Sequence, residues 1–248
     1  INISKFYIDN INFINKLNGE ISFAKNKLLE LFLRSNFPNE KKIILTIKAN
    51  EINEIITTLT TDNAEPLVER YKFVKGFEGG KLDFYSVKKN KISQSQIKIY
   101  NFKLNELPAL TKILTLASLQ GIADLLTGEG IRFNEFEMDF TSKDNHMTIK
   151  EVYAIGPAIS ILMEGYIDKN NLVSLRGTLV PATTLNKVVG SIPILGNILV
   201  GKKTGEGVFG VSFKIKGKQK KLKTTVNPVK TLTPRFITRT LEKIKQSN

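Results

Sequence analysis

The sequence predicts a mainly β fold with a few helices: a long curved antiparallel β-meander forming a groove or half-barrel, capped by helices. Apolar and polar residues alternate over most of the chain, as strands with one buried face require. Short Lys/Asn/Asp-rich turns separate these runs. Hydrophobic content is 41%, mean hydropathy is −0.11, and Gly and Pro number 17 and 8, values of an ordinary folded chain.

The second half carries the clearest strands. Phe136, Met138 and Phe140 alternate up to the turn at Lys143-Asp144-Asn145, and Met147 and Ile149 resume beyond it. After Gly156-Pro157 come Ile159, Ile161 and Met163, then a turn over Asp168 to Asn171, then Val173, Leu175 and Leu179. Phe209, Val211, Phe213 and Ile215 follow, and a turn from Gly217 to Lys221 leads into a strand ending near Val226. In the first half, strands are predicted at 20–25, 28–36, 42–49, 80–87 and 91–103, the last two joined by the turn at Lys88 to Lys91.

Helices interrupt the meander. Asn50 is placed to cap one running to about Thr60, and Pro108 to open one reaching Leu126, kinked at Gly121. Its apolar stripe is Leu110, Ile113, Leu114, Ala117 and Leu125. A short helix is expected at Thr183 to Val189 and a terminal one from Thr233-Pro234. The terminal helix places Phe236, Ile237, Leu241 and Ile244 on one side, a pattern shared by membrane-surface helices and by caps over an open sheet edge.

Composition excludes several chemistries. Without cysteine there is no disulfide framework, thiolate metal site or cysteine nucleophile. A single histidine, His146, leaves no paired-His metal site and falls at a predicted turn, where solvent exposure is expected. Gly205 to Gly210 matches G-x-G-x-x-G, but a strand follows where the dinucleotide motif requires a helix. Gly196 to Lys203 approximates a phosphate-binding loop, with Lys203 in place of the required hydroxyl. Glu135, Glu137 and Asp139 alternate along one strand and read as a solvated polar face rather than a catalytic acid pair. No catalytic residue, cofactor or metal is expected.

Net charge is +14, and the last 48 residues hold thirteen Lys and Arg against Glu206 and Glu242. Such a block attracts anionic surfaces, lipid headgroups or nucleic-acid phosphates. Lys202, Lys203, Arg235, Arg239 and Lys243 are the headgroup or membrane-surface candidates. Trp is absent and exposed aromatics do not interleave with the charges, so nucleic acid is not the expected partner.

From about Asn101 onward, several short phrases follow one another in order. They are Asn101-Phe102 with Leu107 to Leu110, Ala117-Ser118 with Gly121-Ile122, Leu126 to Ile131, Gly156-Pro157, and Gly165 to Asp168. Then come Gly177 to Pro181, Ile192 to Gly196, Gly205 to Gly207, and Val226 to Pro228 with Leu232 to Pro234. In this order they resemble the AsmA-like C-terminal region of YhdP-type bacterial envelope proteins, within the AsmA/TamB-like bridge lipid-transfer superfamily. The basic turn at Gly217 to Lys221 departs from that pattern. The resemblance covers about Asn101 to the end and reaches back to Gly79-Gly80; together with the strand pattern before it, two regions of one continuous unit cut from a longer chain are expected. These are an upstream β-groove repeat region with a short helix (1–104) and the AsmA-like C-terminal region (105–248). The resemblance also implies a periplasmic location, anchored in the inner membrane by an upstream segment.

The expected function is to shelter phospholipid acyl chains in an apolar β-groove, for transport between inner and outer membranes. The candidate lining is Phe136, Met138, Phe140, Met147, Ile149, Ile159, Ile161, Met163, Val173, Leu175, Leu179, Phe209, Val211, Phe213 and Ile215. Expected partners are phospholipid and a membrane surface or an outer-membrane-side protein. The alternative is an envelope scaffold or partner-docking module with a closed core and no lipid path.

Overall fold

The computed structural model describes residues 1–24, 27–69, 75–182, 210–218 and 221–229, together with Thr238, Arg239 and Glu242. Phe209, Lys202, Lys203, Arg235 and Lys243 lie outside the described residues, as do the expected helix at 183–189 and most of the terminal one.

Thirteen strands form one open, curled sheet in which every neighbour in sequence is a neighbour in space, all antiparallel. In order they are β1 (Asn2–Tyr7), β2 (Phe13–Ala24), β3 (Lys27–Asn36), β4 (Lys42–Ala49), β5 (Glu54–Thr61), β6 (Lys75–Lys89) and β7 (Ile92–Glu106). After two helices come β8 (Ile131–Lys143), β9 (His146–Ile155), β10 (Ile159–Ile167), β11 (Leu172–Pro181), β12 (Gly210–Lys218) and β13 (Lys223–Val229). The up-and-down path gives the sheet two margins. Tight hairpins occupy the turn margin, joining β2 to β3, β4 to β5, and so on to β12 and β13. The helix margin carries the remaining connections, including α1 (Glu65–Glu69), α2 (Pro108–Leu116) and α3 (Gln120–Thr127).

The hairpins obey local backbone rules. Lys143 pairs with His146 across Asp144 and Asn145, both at positive φ, the geometry of the two-residue turn whose twist suits a hairpin. The Asp168 carboxylate accepts the Asn170 and Leu172 amides at 2.8 and 2.9 Å, closing the next one.

Two helix expectations are corrected. Residues 54–61 form β5, because Ile55, Ile56, Thr57, Thr58, Thr60 and Thr61 are β-branched and suit a pleated surface. Asn50 caps a turn instead: its side-chain oxygen accepts the Ile52 and Glu54 amides at 3.2 and 2.8 Å. The expected helix from Pro108 to Leu126 is two helices broken at Ala117 to Leu119, where Ser118 adopts φ 58°. Gly121 lies inside α3. Strand β1 was not expected; its residues are all exposed.

The main core joins α2 and α3 to one face of the sheet. Leu110, Ile113 and Leu114 of α2 and Ala123 and Leu126 of α3 are buried in one cluster with Ile99, Phe133, Ile159, Leu179, Phe213 and Ile215. Each fully buried Leu or Ile contributes about 1.5–3 kcal/mol. Neither helix has a side-chain cap, so burial rather than capping holds these short elements. A small separate cluster of Ile14, Leu17 and Phe37 anchors the start of the sheet.

Candidate functional site

Paired residues on adjacent antiparallel strands project to the same face, so the register traces rows of side chains across the sheet. One row runs Leu33, Leu45, Leu59, Phe84, Ile97, Met138, Val152 and Met163, then Gly177, Phe213 and Val226. Toward the helix margin a second runs Ser35, Ile43, Thr61, Leu82, Ile99, Phe136, Ala154, Ile161, Leu179 and Val211. These rows share the face that α2 and α3 cover, here called the inner face. The outer face is mostly polar, as in the row Arg34, Ile44, Thr60, Asp83, Lys98 and Glu137.

Toward the turn margin a third inner row changes character midway. Ile21, Leu31 and Ile47 give way to Thr57, Ser86 and Ser95, and apolar residues return at Phe140 and Ile149. The Ser86 and Ser95 hydroxyls lie 2.8 Å apart, satisfying each other within the apolar floor.

Three irregularities keep apolar residues on the inner side. Strand β9 carries one extra residue, Lys150, against both neighbours, so Ile149 and Val152 both turn inward despite their odd spacing. Lys16, at φ 53°, lies in a register shift of β2 and allows Ile14 and Leu17 to enter one cluster. Asn101, at φ 54°, sits between Ile99 and Phe102, and both side chains lie beside Gly80.

Burial divides the inner face. Of the candidate lining, Ile149, Ile159, Val173, Leu179, Val211, Phe213 and Ile215 are buried by the protein's own packing. Ile159, Leu179, Phe213 and Ile215 belong to the core cluster that α2 and α3 complete. Phe136, Met138, Phe140, Met147, Ile161, Met163 and Leu175 stay half-buried. Upstream, on residues not singled out from sequence, Leu31, Leu33, Leu45, Ile47, Leu59, Phe84 and Ile97 are half-buried, and Ile21 is 46% exposed. Leu59, Phe84 and Ile97 pack against the main core and Leu33 against the small cluster, so the more accessible stretch centres on β2–β4. The signal for all but Leu59 was the alternation within 20–25, 28–36, 42–49, 80–87 and 91–103; Leu59 falls in the stretch expected as a helix.

The outer face holds a charge cluster. Arg239 donates from Nε to Glu151 at 2.5 Å, from Nη2 to Glu137 at 3.0 Å and from Nη1 to Glu242 at 3.4 Å, above the Tyr153 ring. Glu137 also receives Lys98 at 3.3 Å and Gln96 at 3.1 Å. Burial disfavours the guanidinium charge, but attraction to Glu151 and Glu137 outweighs it and raises the Arg239 pKa. Two expectations are thereby corrected. Glu137 is buried and paired rather than solvated, and Arg239 is turned onto the sheet rather than toward headgroups. His146 is exposed as expected, its ring stacked on Tyr166. A depression of about 350 Å³ on β10–β13 includes outer-face Glu164 and Arg176, which pair at 2.6 Å.

Among the described residues no group of His, Asp or Glu is placed to hold a metal ion, and no helix is long and apolar enough to cross a membrane. No family model, curated protein or solved structure matches the chain.

Proposed function

We propose that this chain is a non-enzymatic segment that shelters phospholipid acyl chains against the inner face of its sheet, the more accessible stretch being β2–β4. The observation that carries the reading is the apolar row Leu33, Leu45, Leu59, Phe84 and Ile97. It is half-buried and continuous in register, with Leu59, Phe84 and Ile97 packed against the main core and Leu45 farther from it. Extended apolar surface of this kind is unfavourable in water unless something covers it. Each acyl methylene moved onto it contributes about 0.8 kcal/mol. A role in transport between inner and outer membranes, in the periplasm, rests on the resemblance to AsmA-like regions.

The test is lipid recovery. Purified protein is expected to carry phospholipid by native mass spectrometry and to take up labelled phospholipid. Leu45→Asp, which puts a charge at the centre of the row, is expected to reduce both severalfold. Urea unfolding reports whether the variant stays folded. Folded wild-type protein that repeatedly contains no phospholipid and takes up none would sink the proposal. That outcome would favour a closed scaffold or partner-docking module, the reading supported by the packed core beneath α2 and α3.

A further inference from the structure

Among the described residues, the two margins of the sheet differ in charge. Counted with two flanking strand residues on each side, the described connections of the turn margin carry ten lysines against four carboxylates. Those of the helix margin carry five basic residues against eight acidic ones, with 70–74 and 183–209 outside the described residues and not counted. Of the four turn-margin carboxylates, Glu54 is already paired with Lys89 at 3.3 Å and Asp168 accepts two turn amides. Lys88, Lys89 and Lys91 project from one hairpin, Lys169 from another, and Lys221 and Lys223 from the last, all exposed. These hairpins recur every second strand, so the lysines are spread along one edge over about 28 Å from the β6–β7 turn to the β12–β13 turn.

Apolar side chains stand among these lysines. Ile52, at the tip of the β4–β5 hairpin, is 61% exposed, Phe23 at the end of β2 is 60% exposed, and Ile92 beside Lys91 is 40% exposed. On the opposite margin the most exposed apolar residue, Ile11, shares its turn with Asp9. Long lysine stems with charged ends, interspersed with aliphatic tips, suit an interface where phosphate lies above hydrocarbon. Among the described residues this margin has no arginine, and its exposed apolar tips are mainly aliphatic, which a nucleic-acid surface would not use for base stacking.

We infer that the turn margin docks on an anionic phospholipid bilayer, with lysines at headgroup level and Ile52, Phe23 and Ile92 dipping below it. This goes beyond the acyl-chain reading and does not depend on it: a sheet with a filled inner face would dock in the same way.

Co-flotation with intact vesicles tests it. The chain is expected to float with vesicles of phosphatidylcholine mixed with phosphatidylglycerol, to stay behind with phosphatidylcholine alone, and to be released by salt. Each lysine removed is expected to lower partitioning about fivefold. The triple variant Lys91→Ser, Lys169→Ser, Lys221→Ser should therefore lose flotation, while the same three positions changed to Arg should retain it. Ile52→Ser should weaken binding at a given salt concentration. Lys41→Ser with Lys112→Ser, on the helix margin, should leave it unchanged. Equal flotation with both vesicle types would overturn the inference, as would a triple Ser variant that still floats. Leu45→Asp separates the two proposals: it is expected to lose lipid recovery and keep flotation.

Discussion

Lys150 shows how much a single residue decides in this sheet. Strict alternation through β9 would send Ile149 and Val152 to opposite faces, and the bulge at Lys150 brings both inside. Gly80 has a comparable effect in β6. Its φ of +80° is costly for residues with a side chain, and an added Cβ would lie 3.1 Å from both Ile99 Cγ2 and Phe102 Cβ. Gly80→Ala is expected to destabilise the protein by about 2–4 kcal/mol, combining the backbone cost with overpacking. Gly121 in α3 has nothing within 4 Å of a built Cβ, so Gly121→Ala should instead stabilise by about 0.5–1 kcal/mol. Urea midpoints at unchanged slope would read both. Equal effects at the two glycines would remove the distinction.

At the scale of elements, α2 and α3 matter more than their length suggests, because they decide which strands keep an accessible face. Removing their buried leucines would uncover the inner face of the later strands. On the outer face, the short stretch at Thr238 and Arg239 is tied to β8 and β9 through Glu137 and Glu151. Arg239→Met should cost about 2 kcal/mol. That is below the roughly 3–5 kcal/mol typical of breaking a buried pair, because Lys98 and Gln96 still serve Glu137. Combining it with Glu137→Gln should cost less than the two single changes added together. Strict additivity would mean that the pair is energetically uncoupled.

Across the whole molecule, each strand pairs only with its sequence neighbours, so stability is distributed along the sheet rather than pooled. The packed part, β7–β12 with α2 and α3, is expected to exchange its amide hydrogens most slowly. Strand β1, exposed throughout, and the early strands above the small Ile14, Leu17 and Phe37 cluster should exchange orders of magnitude faster. Uniform protection from β2 to β12 would contradict this gradient. An easily opened early half fits the proposal that its apolar face receives a ligand.

Strand type, hairpin positions and the existence of one apolar face were legible in the sequence because they are local. A period of two, β-branched residues and Asn/Asp turns act within a few residues. The alternation at Phe136, Met138 and Phe140 and the Lys143-Asp144-Asn145 turn were both readable in this way. At Asn50 to Thr60 a local signal misled, since an Asn that caps a helix closes a hairpin equally well. Which stretch of the apolar face is covered depends on α2 and α3 folding back across strands far away in sequence. For that reason Phe213 and Leu179 became core while Leu45 and Ile47 stayed half-buried, and only the tertiary structure could decide it. The gathering of lysines along one margin is also tertiary, because turns scattered through the chain become neighbours only once the strands have paired.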